Sequence, residues 1–258
     1  MSLANIDTLN PISLTELTES SALMSRVDRK YFVPRAVVEE LIAENQHQAR
    51  VLEIDGRRNF TYETVYFDSP EFGFYRDHAQ GKRHRFKVRV RTYVDSGLRM
   101  LEVKSKGFRG RTLKERIRFP HGQAQQASEN LVLTPEGTAF VNQIVGGDAS
   151  VLEPVLTTVY RRTTLALGDQ RVTLDMALEC RDGQAVFYGP DDILVETKSP
   201  SRGSSFDAAL RARNIRPHSV SKYCVAASLL YPELPRNKWN RTLQRFFLPD
   251  AAQNRLAA

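Results

Sequence analysis

The hydrophobic and polar positions alternate with a period of two over long stretches, and this predicts a protein built mainly of strands. The pattern marks strands over 26–33, 62–67, 83–94, 98–106, 112–119, 154–167, 171–178 and 193–198. Asp95-Ser96-Gly97 and Gly107-Phe108-Arg109-Gly110 read as turns between successive strands. Helical spacing appears after Pro34, where Val37, Val38, Leu41 and Ile42 share one face. Further helices are predicted after Ser69-Pro70-Glu71, over 128–145 up to Gly146-Gly147, and over 206–214, 221–230 and 237–247. Residues 1–25 read as a lead-in, 26–232 as the main domain and 233–258 as a basic C-terminal helix and tail. Seven or eight strands joined mostly by short turns describe an α+β protein with an antiparallel β-barrel or β-tunnel core.

The same alternation sorts the charges onto one face of each strand, because successive side chains point to opposite sides. Arg83, Arg85, Lys87, Arg89 and Arg91 share a face, and His84, Phe86, Val88 and Val90 share the other. Arg26, Asp28 and Lys30 fall together, as do Glu102, Lys104 and Lys106. Lys114, Arg116 and Arg118 oppose Leu113, Ile117 and Phe119. Arg171, Thr173 and Asp175 form a further set, and Glu196 lies with Lys198. The chain of 258 residues carries a net charge of +7. Between Arg76 and Arg118, 15 Lys and Arg stand against four acids, so this segment is +11 and the remainder −4. A solvated sheet face mixes its charges, since like charges opposite each other destabilise a sheet. Several basic faces side by side point instead to a concentrated anion, for which arginine supplies a two-pronged phosphate contact.

Scattered carboxylates on these faces, Asp28, Glu102, Asp175 and Glu196, are the oxygen donors that Mg²⁺ or Mn²⁺ prefers. No P-loop, kinase or dinucleotide signature is present, so phosphate must be held by side chains. His78, His84, His121 and His218 follow no nucleophile elbow. Cys180 and Cys224 form neither a disulfide framework nor a zinc pattern. With no apparent signal peptide and no apolar run long enough to span a bilayer, the expectation is a cytoplasmic protein.

Taken in order, these segments resemble the catalytic domain of the vacuolar transporter chaperone (VTC) polyphosphate polymerases, a branch of the CYTH-like triphosphate tunnel metalloenzymes. The landmarks are Arg29-Lys30-Tyr31-Phe32, Val65-Tyr66-Phe67-Asp68-Ser69 and Val88-Arg89-Val90-Arg91-Thr92-Tyr93. They continue with Leu101-Glu102-Val103-Lys104, Leu113-Lys114-Glu115-Arg116, Tyr160-Arg161-Arg162-Thr163 and Arg171-Val172-Thr173-Leu174-Asp175. Leu194-Val195-Glu196-Thr197-Lys198 and Val220-Ser221-Lys222-Tyr223 complete the set, which covers about residues 25–230. The resemblance implies an eight-stranded antiparallel β-barrel, the triphosphate tunnel, with flanking helices. It also implies that a nucleotide triphosphate is bound with Mn²⁺ or Mg²⁺ and its terminal phosphate transferred to polyphosphate. The triphosphatase branch opens with Glu-x-Glu-x-Lys, whereas this chain has Arg26-x-Asp28-x-Lys30, which favours the polymerase branch.

On this reading Lys30, Arg89, Arg91 and Lys222 serve catalysis, and Glu196 holds the metal. Lys87, Lys104, Lys114, Arg116, Arg162, Arg171 and Lys198 bind substrate. Glu102, Asp28 and Asp175 orient the cations, and Tyr31, Tyr66 and Tyr93 pack. Lys238, Arg241 and Arg245 offer a further surface to a polyanion. The expected partners are ATP or another triphosphate and polyphosphate, with no nucleic acid and no membrane span. Two other functions fit the basic faces: an inorganic or nucleoside triphosphatase, and a non-catalytic polyphosphate- or nucleic-acid-binding module.

Overall fold

A computed structural model describes residues 3–22, 27–106, 112–120, 131–199, 203–248 and 255–257. Its elements, in chain order, begin with β1 (Asn10–Ile12), α1 (Leu14–Ala22), β2 (Val27–Val33), α2 (Arg35–Glu44), β3 (Ala49–Leu52) and β4 (Phe60–Asp68). There follow α3 (Gly73–Gln80), β5 (Arg85–Tyr93), β6 (Leu98–Lys106), β7 (Thr112–Arg118), α4 (Pro135–Val145), β8 (Glu153–Leu167) and β9 (Gln170–Arg181). The chain ends with β10 (Ala185–Tyr188), β11 (Ile193–Ser199), α5 (Ser205–Ala212), α6 (Lys222–Leu230), α7 (Asn240–Phe246) and β12 (Arg255–Ala257). The expected α+β class, antiparallel strands with flanking helices, is what the chain adopts. Among the described residues no helix is long and apolar enough to cross a membrane.

The chain divides into two compact units. The first comprises residues 1–61, 160–178 and 190–220. Here β2 pairs antiparallel with β11, and β11 with β9. Tyr31, Val33, Val172, Leu174, Ile193 and Val195 turn to one side, where they are buried with Val38, Leu41 and Ile42 of α2 and Phe206 and Leu210 of α5. The alternate positions, Lys30, Glu196, Lys198 and Arg171, are left on the opposite, polar face. Pro34 immediately precedes α2, a position where its missing N–H costs nothing. Residues 1–25, expected only as a lead-in, supply Leu3, Ile6 and Leu9 to this core, and Asn10–Ile12 pairs with β3. Arg26 and the 107–110 turn lie outside the described residues, as does His121.

The second unit comprises residues 62–159, 179–189 and 221–258. Strands β4, β5, β6 and β7 form an antiparallel meander in that order. Val65, Phe67, Val88, Val90, Leu101 and Val103 are buried together with Phe119 and Val141. Helix α4 packs on this layer at Gly137, where an added Cβ would come within 3.1 Å of the Leu101 side chain. The helix starts at Pro135 rather than 128, because the Thr134 hydroxyl accepts the Gly137 N–H and ends the preceding extended segment. Residues 128–130 fall outside the described set. Strand β5 likewise begins at Arg85, so Arg83 sits in a bend and leaves the expected row of five basic residues with four. Leu113, expected on the apolar face, is 60% exposed. Helix α6 is buried from Tyr223 to Leu230, in keeping with its almost uniformly apolar sequence.

Candidate functional site

The register of the second unit turns the sequence alternation into rows across three strands. Lys87 faces Lys104, which faces Lys114. Arg89 faces Glu102, which faces Arg116, and Arg91 faces Met100, which faces Arg118. Arg85 faces Lys106. Four cations of β5, two of β6 and three of β7 thus share one sheet face, and among these three strands the carboxylate on that face is Glu102. Directly opposed like charges cost a sheet stability, and here three lysines stand in one row.

Glu102 is fully buried and organises the middle of this face. Arg89 donates to its Oε2 through Nε at 2.8 Å, with Nη2 at 2.6 Å, and Arg91 Nη1 lies 3.9 Å away. Lys114 pairs with the other carboxylate oxygen. Burial pushes the Glu102 carboxyl up, but Arg89, Arg91 and Lys114 outweigh it and bring it down to about 2. Lys114 is drawn down to about 8, first by desolvation and then by Arg89 and Arg91, against the pull of Glu102. Arg91 is itself buried, with Nε 3.4 Å from the Thr64 hydroxyl and its guanidinium over the Tyr62 ring. One carboxylate therefore steadies three cations of this face.

The first unit carries a smaller polar face. Lys30 faces Glu196 across β2 and β11, with Nζ 3.1 Å from the carboxylate. Lys198 reaches both Glu196 and Asp28 at 3.6 Å, and its partner in β9 is Arg171. Arg162 grips Asp175 with two hydrogen bonds of 2.5 and 2.7 Å. Asp28 and Asp175 each pair with a cation, and so does Glu196, expected as the metal ligand. Lys222 is the first residue of α6, partly exposed. Lys238 is exposed and donates to the His78 carbonyl at 2.5 Å.

Among the described residues, no group of three or more His, Cys, Asp or Glu is arranged to hold a metal ion. A divalent cation bound here would take only part of its coordination from protein. Glu196 faces Thr173, whose buried hydroxyl has no hydrogen-bond partner among the described residues. A carboxylate beside an unsatisfied hydroxyl fits a Mg²⁺ or Mn²⁺ ion completed by phosphate oxygens, the usual way such ions are held.

Two buried aspartates support these faces and were not singled out by the sequence reading. Asp207, in the first turn of α5, accepts hydrogen bonds from Tyr31 at 2.8 Å, Thr197 at 2.6 Å and Ser199 at 2.9 Å. Ser204 adds its amide and hydroxyl, and Arg29 lies at 3.3 Å. Burial would raise its carboxyl, but the bonds from Thr197, Tyr31, Ser199 and Ser204 hold it below the ordinary range. These partners alternate with Lys30, Glu196 and Lys198, so Asp207 ties the back of the strands whose front carries the charges. The signal was the capping-box spacing Ser204 to Asp207. In the second unit, Asp68 accepts the Ser69, Phe74 and Tyr75 amides and the Tyr223 hydroxyl. Tyr66 stacks on Tyr223 with ring centroids 5.1 Å apart. The Tyr-Phe-Asp and Ser-Lys-Tyr segments thus meet in a structural joint.

Comparison with solved structures places this fold among known ones. A candidate adenylate cyclase of Bacillus halodurans superposes with a TM-score of 0.53 at 15% identity, over 76% of this chain and 93% of that one. A candidate adenylyl cyclase of Hippeastrum, described as having a dominant triphosphatase activity, gives 0.52 at 14% identity, over 83% and 99%. Identities this low establish a common fold and nothing finer. Comparison with curated proteins gives no significant match. The model of the VTC domain matches residues 25–231, which span every strand of the charged faces described above. On that match the chain belongs to the VTC domain family.

Proposed function

We propose that this chain is a metal-dependent phosphotransferase that uses ATP to extend polyphosphate. The observation that carries the reading is the row Lys87–Lys104–Lys114 beside the Arg89–Glu102–Arg116 row. Such a face is costly when bare and is stabilised by a linear polyanion. In the second unit, Lys87, Lys104, Lys114 and Arg116 are assigned to holding phosphates, with Arg89 and Arg91 on the phosphates that react and Lys222 as a further cation. In the first unit, Arg162, Arg171 and Lys198 are assigned to substrate, Lys30 to the transferred phosphate and Glu196 to Mn²⁺ or Mg²⁺. A bound metal supplies charge neutralisation at phosphate oxygens.

The step itself is simple in its balance. A terminal oxygen of the polyphosphate acceptor forms a bond to the γ-phosphorus, the β–γ bridging bond breaks, and ADP leaves with the electron pair. The acceptor is already an anion, so no general base is required, and arginine and lysine stabilise the charge on the equatorial oxygens. Residues 26–232 are proposed as the catalytic domain, flanked by 1–25 and 233–258. A cytoplasmic setting suits the two free, buried cysteines, Cys180 and Cys224.

Incubation with γ-labelled ATP and Mn²⁺, followed by sizing of the labelled product, tests the reading. Long labelled chains support it. Free phosphate alone assigns the chain as a triphosphatase, and binding without turnover assigns it as a polyphosphate-binding module.

A further inference from the structure

We propose that Asp68 and Tyr223 are positioning residues: together they fix the first turn of α6 against β4 and β5, and so hold Lys222 at the cationic sheet face. This inference rests on the proposed triphosphate site and says what keeps one of its cations in place. Lys222 opens α6, and its neighbour Tyr223 is buried. Tyr223 stacks on Tyr66 with ring centroids 5.1 Å apart, and Tyr66 stands directly opposite Arg89 in the β4–β5 ladder. The Cys224 thiol, next along the helix, is pushed up by burial and drawn back by Lys87, by a hydrogen bond with Ser221, and by Lys238 and Arg85. The start of α6 therefore lies beside the Arg85, Lys87 and Arg89 stretch of β5.

The helix does not hold this place by its own local chemistry. A cation in the first turn opposes the helix dipole, and the side chain of Ser221, the residue before Lys222, makes no capping hydrogen bond. The tie comes from β4. Asp68, fully buried at the end of that strand, accepts the Ser69 and Phe74 amides on Oδ1 at 2.8 and 2.9 Å, and the Tyr75 amide on Oδ2 at 2.9 Å. It thereby caps α3, whose preceding residue Phe72 offers no side-chain cap. The same Oδ2 accepts the Tyr223 hydroxyl. A buried carboxylate and a buried hydroxyl are costly without partners, so this bond gives the Tyr223 ring one favoured seat. Further along, the Tyr75 hydroxyl is hydrogen-bonded to Ser228 of α6 at 2.8 Å. One carboxylate thus joins β4 to the starts of α3 and α6, and the Tyr75–Ser228 contact sets the rotation of α6 about its axis.

Tyr223→Phe keeps the stacked ring and removes only the hydroxyl. Calorimetric titration of the full chain with tripolyphosphate and Mg²⁺ places it in a double-mutant cycle with Lys222→Met. Lys222→Met should lower affinity about tenfold and Tyr223→Phe about fivefold, and the double variant should bind no more weakly than Lys222→Met alone. With Arg116→Gln on β7 in place of Lys222→Met, the two losses should multiply. Asp68→Asn in place of Tyr223→Phe should give the same pattern in both cycles. Losses that multiply in the Lys222 cycle overturn the inference, and so does parental affinity in Lys222→Met or in Tyr223→Phe. Coupling to Arg116 as strong as that to Lys222 overturns it too, because the joint would then serve the whole face. Failure of the parent to bind tripolyphosphate overturns the triphosphate site itself, and the inference falls with it.

Discussion

Arg89 lies directly opposite Glu102 in the β5–β6 ladder and closes on its buried carboxylate with Nε at 2.8 Å. The pair sits between two rows of like charge, and Arg91 and Lys114 share the same carboxylate. Glu102→Gln should therefore destabilise the ligand-free protein. Removing one partner of a buried ion pair costs about 3–5 kcal/mol, a fall in Tm of about 10 °C for a chain of this size. Thermal melts check this, and tripolyphosphate should restore much of the loss by supplying the missing negative charge.

The same carboxylate sets an acid limit. Its folded pKa of about 2 lies below the ordinary 4.5, so its stabilisation is fully present above pH 4.5 and is lost as pH falls through about 2. An acid titration followed by near-UV circular dichroism should show a transition in the parent that is absent in Glu102→Gln over this window.

Lys114 gives a second pH dependence, of opposite direction. Its pKa of about 8 against an ordinary 10.5 means that the free fold disfavours the charged form, so stability without ligand rises between pH 8 and 10.5. A phosphate ligand requires that charge. Tripolyphosphate affinity should accordingly be highest below pH 8 and fall above it, and Lys114→Gln should flatten the profile. An unchanged slope in the variant would remove Lys114 from the site.

Much of this was legible in the chain, and the reasons differ by element. Val88 and Val90 alternate with Arg89 and Arg91, so the buried and charged faces of β5 follow from spacing alone. The register that sets Lys104 between Lys87 and Lys114 depends on tight turns and pairings that periodicity does not contain. Short pieces escaped for the same reason: Ala49–Leu52 and Ala185–Tyr188 hold four residues each, too few for a pattern. Asp207 and Asp68 escaped because their roles depend on partners far away in sequence, such as Tyr31, 176 residues from Asp207, and Tyr223, 155 from Asp68.

Asp207→Asn should loosen β2 and β11 together. The change weakens several charge-assisted hydrogen bonds, each worth about 1.5–3 kcal/mol, and should lower Tm by at least about 6 °C. Hydrogen exchange should show lost protection at the amides of Tyr31 and Thr197, with β5 and β6 unaffected.

Glu196→Gln is the variant that separates holding from chemistry. The carboxylate is assigned to the metal, and its partners Lys30 and Lys198 stay in place. Tripolyphosphate binding should persist while metal-dependent turnover falls at least a hundredfold. Full turnover would take Glu196 out of the reaction.

The most direct test of the central claim is the melting temperature of the chain with and without saturating tripolyphosphate. A polyanion that relieves the Lys87–Lys104–Lys114 row at about 100 times its Kd contributes about 2.7 kcal/mol, a rise of about 5–10 °C. The rise should largely vanish when Lys87 and Lys104 are both changed to Gln. A shift below about 1 °C in the parent at saturating ligand would contradict the account.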